Sequence, residues 1–268
     1  MIYYKTQDDI EHIRESCLLV SKTLAHVASI LKPGVTGKKL DQEAESFILD
    51  HGAKPGFKGY GGFPATLCIS PNACVVHGIP TDEPFGDKDI ISIDCGSFMN
   101  DYFGDSAFTF AMGGVEDDVM ELLVTTNESL YKGIEAAVVG NRIGDVGFAI
   151  QQHTEQKGYS VVRELVGHGI GKSLHEAPEV PNFGKRGRGP KINDGLVIAI
   201  EPMINMGVKN VKQMKDGWTI MTKDNKPSAH YEHTIAITKE KTETLSDHSL
   251  IEEAIKNNPE IRNISLKS

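Results

Sequence analysis

Over the first thirty or so residues, apolar side chains fall at Ile10, Ile13, Cys17, Val20, Leu24, Val27 and Leu31, in steps of three and four that keep to one face of a helix. Thr6 precedes them as an N-cap, with Asp8 and Asp9 in the first turn, and Pro33-Gly34 ends the run. A second helical stripe runs from about Thr36 through Leu40, Ala44, Phe47 and Ile48 to Gly52. Between Lys54 and Pro64 the pattern gives way to Gly, Pro and aromatic residues, the composition of a loop. Short apolar runs follow at 67–70 and 75–77, either side of a Pro71-Asn72 turn. Those at Ile90–Ile93 and Ala107–Phe110 predict an antiparallel pair of strands.

After Gly113-Gly114 the same order returns. Helices are predicted over about 115–139, closed by Gly140, and over about 144–157, closed by Gly158. Strands are predicted over 160–166, 196–201, 211–220 with an Asp216-Gly217 turn inside, and 231–238. Gly34 aligns with Gly140, Leu40 with Val146 and Gly52 with Gly158 at one offset, and Asp94 with Glu201 at an offset one residue longer. The chain therefore reads as a duplication within one α/β (α+β) domain spanning 1–268, an antiparallel sheet flanked by helices. Its halves are about 1–112 and 113–238, related by a pseudo-two-fold. The polar stretch 239–268 is expected at the periphery, with a short helix opening at Ser249 and ending before Pro259.

Composition narrows the function classes. With 39% hydrophobic and 24% charged residues the chain is of ordinary globular make-up, and its formal net charge of −9 argues against a phosphate-backbone binder. The one basic cluster, Lys185-Arg186-Gly187-Arg188, lies in a Gly-rich stretch and reads as a solvated loop. Cys17, Cys68, Cys74 and Cys95 form no Cys-x-x-Cys pair, which suits reduced thiols. No apolar run approaches the ~18 residues that cross a bilayer, and residues 1–6 lack the features of a secretion signal. The expectation is a cytoplasmic protein without membrane or nucleic-acid partners, and a monomer, since no exposed apolar stripe is evident.

Four carboxylates break this ordinary picture. Asp94, Asp105, Glu201 and Glu232 each adjoin an apolar run that reads as a buried strand, and a buried carboxylate without a partner is costly. No matching supply of Lys or Arg lies nearby: Lys88 is the nearest basic residue before Asp94, and histidines, His230 and His233, flank Glu232. A metal is the partner that fits. His168 sits between Gly167 and Gly169, which lets backbone come close to its neighbours, and His175 follows seven residues on. Four oxygen donors and one imidazole suit Mn(II), Fe(II) or Co(II) better than the Cys and His sets of structural zinc. That much negative charge calls for two ions about 3.5–4 Å apart, bridged by carboxylates and by a water acidified toward hydroxide.

Asp94 with Asp105, His168 in Gly-His-Gly-Ile-Gly, His175 in His-Glu-Ala-Pro, Glu201-Pro202-Met203 and Glu232-His233-Thr234 together resemble type I methionine aminopeptidase, in its short bacterial form, over nearly the whole chain to about Lys239. The resemblance implies the pita-bread fold of the M24 metallopeptidases, whose internal two-fold is the duplication above. It also implies removal of the initiator methionine from peptides and nascent chains when the second residue is small, by attack of the bridging water on the scissile carbonyl. By position it makes Asp94 a ligand of one metal, His168 and Glu201 ligands of the other, and Asp105 and Glu232 bridges. His77 is placed near the scissile nitrogen and His175 on the carbonyl oxygen, and Glu201 is the candidate base. The methionine pocket falls at Phe57, Tyr60, Phe63, Cys68, Leu174 and Trp218. Leu174 stands where many relatives carry an aromatic residue, and Phe57 where some carry a cysteine. Asn72, Cys74 and Ser228 fall where relatives bind a monovalent cation, Na or K. The divalent pair is implied as Co, Mn, Fe or Zn, and a ribosome contact is a further implied partner. Two alternatives share the fold: a prolidase or proline-specific aminopeptidase, which normally adds an N-terminal domain, and a binding module that has lost its ligands.

Overall fold

The computed structural model describes residues 1–264, and the apolar periodicity of the sequence becomes five helices and sixteen short strands among them. Helix α1 (Gln7–Ile30) begins at Thr6, whose side chain accepts from Asp9 N while Asp9 accepts from Thr6 N, a reciprocal cap. Helix α2 (Gly37–Asp50) is capped by Thr36. Strands β1 (Lys54–Pro55), β2 (Leu67–Pro71) and β3 (Cys74–Val76) follow, then the long hairpin β4 (Ile90–Met99) and β5 (Tyr102–Met112). Both β1 and β2 pair with β4, antiparallel like the other strand ladders among the described residues, whereas β3 leaves for the second half of the chain.

The second half opens with α3 (Asp117–Ala136) and α4 (Ile143–Gln156). Its strands are β6 (Ser160–Val161), β7 (Gly167–Gly169), β8 (Glu176–Val180), β9 (Leu196–Ile200), β10 (Met203–Asn205), β11 (Val211–Gln213), β12 (Ile220–Thr222), β13 (Ser228–His230) and β14 (His233–Ile237). A sheet of order β15-β14-β9-β7-β8, with β15 at Thr242–Thr244, meets the one built on β4 and β5 where β14 contacts β5. The glycines aligned between the halves, Gly34 with Gly140 and Gly52 with Gly158, all take left-handed φ, from 76° to 101°. One continuous apolar core joins the halves, from Leu24 and Leu40 through Phe108 to Ile198 and Ile235.

Several runs divide more finely than their hydrophobicity suggests. The run 160–166 forms a strand only at Ser160–Val161, 211–220 becomes a hairpin with β12 also paired to β3, and 231–238 starts two residues late at His233. The stretch expected at the periphery instead packs onto the core. Thr242–Thr244 pairs with β14, and α5 (His248–Lys256) buries Ile251 and Ile255. Strand β16 (Ile261–Arg262) pairs with β5. Asn258 donates from Nδ2 to the carbonyls of Ala28 and Leu31, both at 2.8 Å, which satisfies the open end of α1. The buried apolar residues of that stretch, Leu245, Ile251, Ile255 and Ile261 among them, are few, so average polarity concealed them. Residues 265–268 of that expected tail lie outside the described residues.

Candidate active site

The hairpin and the second sheet bring the four carboxylates to one place by register. On the hairpin, Asp94 stands opposite Ala107 and Asp105 opposite Gly96, so the two acids project from the same face, one pleat apart. Cys68 of β2 lies opposite Asp94 on its other side. Between β9 and β14 the ladder ends at the pair Ile200–His233, and one further step sets Glu201 across from Glu232. The two sets meet along a laced seam: Glu232 N donates to Ala107 O at 2.9 Å, Ser106 Oγ to Glu232 O at 2.7 Å, and Thr234 Oγ1 to Asp105 O at 2.8 Å.

His168 completes the group from β7. An added Cβ at Gly167 would stand 2.4 Å from Ala199 O, and one at Gly169 2.4 Å from Ala177 O. The glycines thus let β8 and β9 close on both sides of the imidazole. Nδ1 of His168 donates to the Gly169 carbonyl at 3.0 Å, which leaves Nε2 with its lone pair free, 3.7 Å from Asp105 Oδ2 and 3.6 Å from Glu201 Oε1. Burial drives its pKa down to about 3, so the ring is neutral.

The electrostatics are those of a cage built for cations. Asp105, His168 and Glu232 each present a ligand atom within 4.8 Å of the other two. Burial lifts the pKa of Asp94 to about 7, and burial and neighbouring carboxylates push Asp105, Glu201 and Glu232 well above the usual range. Asp94 Oδ1, Asp105 Oδ1 and Glu232 Oε1 are buried without a hydrogen-bond partner among the described residues. Orphaned carboxylate oxygens converging with a free imidazole lone pair are the donors that a divalent ion needs, so these residues fit the metal pair that the sequence implied.

Above the cage opens a cavity of about 340 Å³, and every catalytic, metal and pocket residue expected from the sequence lines it. His77 follows β3 with left-handed backbone, φ 58°. His175 lies at the mouth, its ring 4.3 Å from that of His168 and its Nδ1 2.9 Å from the Tyr60 hydroxyl. Phe63 meets Trp218 edge-on at 5.2 Å, and Asp216 fixes the Trp218 turn by accepting from its backbone N–H. Phe57, Cys68 and Leu174 are buried in the same apolar cluster. The Cys68 thiol, raised well above its usual pKa by burial, stays protonated and packs as an apolar group.

The sequence pattern of metallopeptidase family M24 matches residues 11–239, and the five acid and imidazole positions fall within it. The chain belongs to metallopeptidase family M24. Within M24, a methionine aminopeptidase of Clostridium perfringens is 49% identical over 246 residues, covering 92% of this chain and 99% of that protein. The crystal structure of a methionine aminopeptidase from Rickettsia prowazekii superposes with a TM-score of 0.91 at 38% identity, over 92% of this chain and 100% of that one. A prolidase from Pyrococcus horikoshii shares the fold, with a TM-score of 0.75 at 22% identity, but this M24 chain spans 65% of its length.

Other residues around the candidate site were not assigned to it from the sequence. Val76, Leu165, Val166 and Met203 add apolar wall and Glu164 adds an acid at the rim. His230 reaches to 3.7 Å from Glu201 Oε2. Only Met203 and His230 carried a signal, through their nearness to Glu201 and Glu232 in sequence. The residues expected to hold a monovalent cation make other bonds as well. Ser228 N donates to Asn72 O, yet the Asn72 side chain is bound to Asp89 and Ile90 N, Ser228 Oγ donates to Asn205, and the Cys74 thiol turns to Val76 O.

Proposed function

We propose that this protein removes the N-terminal methionine from peptides and new chains whose second residue is small, using two divalent ions held by Asp94, Asp105, His168, Glu201 and Glu232. The observation that carries this reading is one cavity with two unlike ends: four buried carboxylates with a neutral imidazole at the floor, and an apolar chamber of Phe57, Phe63, Cys68, Leu174 and Trp218 beside it. The chamber suits an unbranched thioether through dispersion and sulfur–aromatic contact.

Two divalent ions at the floor would lower the pKa of water and polarise the scissile carbonyl. The chain supplies the proton traffic. Glu201 accepts the proton of the attacking water on a carboxylate oxygen and returns it to the leaving amine. His175, proton on Nε2, donates to the carbonyl oxygen as charge develops there. His77, neutral because burial lowers its pKa, faces the scissile nitrogen. The same reading takes the protein as cytoplasmic and monomeric; no helix among the described residues is long and apolar enough to cross a membrane.

The test is release of methionine from Met-Ala, Met-Leu and Ala-Ala peptides by chelator-stripped protein given Mn, Fe, Co or Zn. Metal-dependent cleavage of Met-Ala alone is the expected result. Binding of two ions without cleavage, followed by cleavage of a peptide with proline second, would move the chain to the prolidase reading.

A further inference from the structure

One buried imidazole close to the cage plays no part in the chemistry above. His248 opens α5, beyond residue 239 where the family match ends, and it is 3% exposed. Its Nε2 is 3.1 Å from Ser106 Oγ, and that hydroxyl donates to the Glu232 carbonyl at 2.7 Å. With its one proton spent on Glu232, the hydroxyl accepts from His248, so the ring carries its proton on Nε2. The ring also stacks on His233, centroids 3.7 Å apart, and meets Phe108 edge-on at 5.2 Å. His233 is fixed in turn by Ser246 Oγ, 2.7 Å from its Nδ1.

Two features show that this contact is more than filling. Nδ1 of His248 is buried without a partner among the described residues, a cost that an apolar side chain in the same place would avoid. Glu232, moreover, lies between β13 and β14 and outside either strand, so its backbone is placed by the bonds of the seam. Of those bonds, the one from Ser106 is held from behind by His248.

We propose that α5 is a positioning element of the metal centre: through His248 it fixes the Ser106 hydroxyl, which holds Glu232 against the Asp105 strand so that both carboxylates reach the same ions. The segment outside the family match thus braces two ligands at once. Ser106 is the residue after Asp105, and His233 the residue after Glu232, so one imidazole touches the chain next to each.

This inference rests on the dinuclear reading, and Mn(II) binding to chelator-stripped protein, followed by calorimetry, separates the two. Wild-type protein is expected to take up two ions. His248→Leu, which fills the space without a donor, should melt cooperatively and bind Mn(II) about 10-fold more weakly, the size expected for loss of an outer partner of a ligand. His248→Gln, with an amide N–H near the place of Nε2, should recover most of the affinity. Ser106→Ala should show the same loss and add nothing to His248→Leu in the double variant; it tests the proposal by itself if His248→Leu does not fold. Ile255→Ala, buried on the same helix two turns on, should lower Tm and leave Mn(II) affinity alone. Wild-type affinity in His248→Leu or Ser106→Ala, or an equal loss in Ile255→Ala, would reduce His248 to packing and overturn the proposal. Uptake of fewer than two ions by wild-type protein would overturn the dinuclear reading, and this inference with it.

Discussion

The hydroxyl of Tyr60, 2.9 Å from His175 Nδ1, decides which nitrogen of that ring faces the cavity with a proton. Donation from Tyr60 to Nδ1 places the imidazole proton on Nε2, where it can meet a carbonyl oxygen. Tyr60→Phe removes one atom and keeps the ring, so kcat should fall roughly 5- to 10-fold, the worth of one neutral hydrogen bond, with KM nearly unchanged. Steady-state kinetics on Met-Ala-Ser would show this, and equal kcat in the variant would free His175 from Tyr60. A second prediction concerns the backbone after His77. A Cβ at Gly78 would stand 2.1 Å from Ile69 O, which β2 holds in place. Gly78→Ala should cost at least about 2 kcal/mol, a drop in Tm of some ~5 °C, and lower activity as His77 shifts; melting and turnover measured together would check it. At this scale the sequence was most legible where it was most anomalous. An acid beside an apolar run, or a histidine between glycines, has few explanations, so the five donors stood out. Val76, Leu165 and Glu164 did not, because an apolar or charged residue at a cavity wall looks the same in sequence as one anywhere else.

Among the elements, α1 shows how a local signal gains a distant partner. Its cap residue Asp9 also accepts from the Tyr102 hydroxyl at the start of β5, and these bonds, with those from Thr6, hold its pKa near 2. A carboxylate whose folded pKa lies below its unfolded value stabilises the fold above about pH 4, and that contribution is lost as pH falls toward 2. Asp9→Asn should therefore be slightly less stable than wild type at pH 7, by under about 1 kcal/mol for so solvated a group, with the gap closing by pH 2.5. Urea melts at the two pH values would show it; a gap that widens in acid would contradict the assignment. Helix α1 was readable because period, cap and stop coincide within one segment, and α3, whose cap makes no side-chain bond, was readable from period and the closing Gly140. The short strands were not, since pairing decides them: β3 joins β12 from the other half, and β15 and β16 exist through β14 and β5. A polar average over 239–268 could not reveal that Ile251, Ile255 and Ile261 each find a place in the core.

At the scale of the whole molecule, the candidate site belongs to neither half: Asp94 and Asp105 come from one, His168, Glu201 and Glu232 from the other, and the seam between them is laced by hydrogen bonds. The duplicated pattern made this arrangement legible in outline, but not the register that sets Glu201 across from Glu232. Without ions the cage opposes the fold. Asp94, with its pKa raised to about 7, and the three acids pushed up beside it hold protons in the metal-free fold that the unfolded chain releases near pH 4. These acids make metal-free stability fall as pH rises, while the buried His168, His230, His233 and His248, whose pKa values burial lowers, act in the opposite sense below about pH 6.5, so the acids dominate only above neutrality. Calorimetry should find metal-free protein melting at a lower temperature at pH 8.5 than at pH 7, above the histidine range, and saturating Mn(II) should abolish or reverse that order. Parallel pH profiles with and without metal would contradict it. A cage that undermines its own scaffold when empty also ties protein lifetime to nutrition. Chains made during metal scarcity open more often and meet proteases sooner, so starvation would thin the enzyme pool itself as well as its ion content.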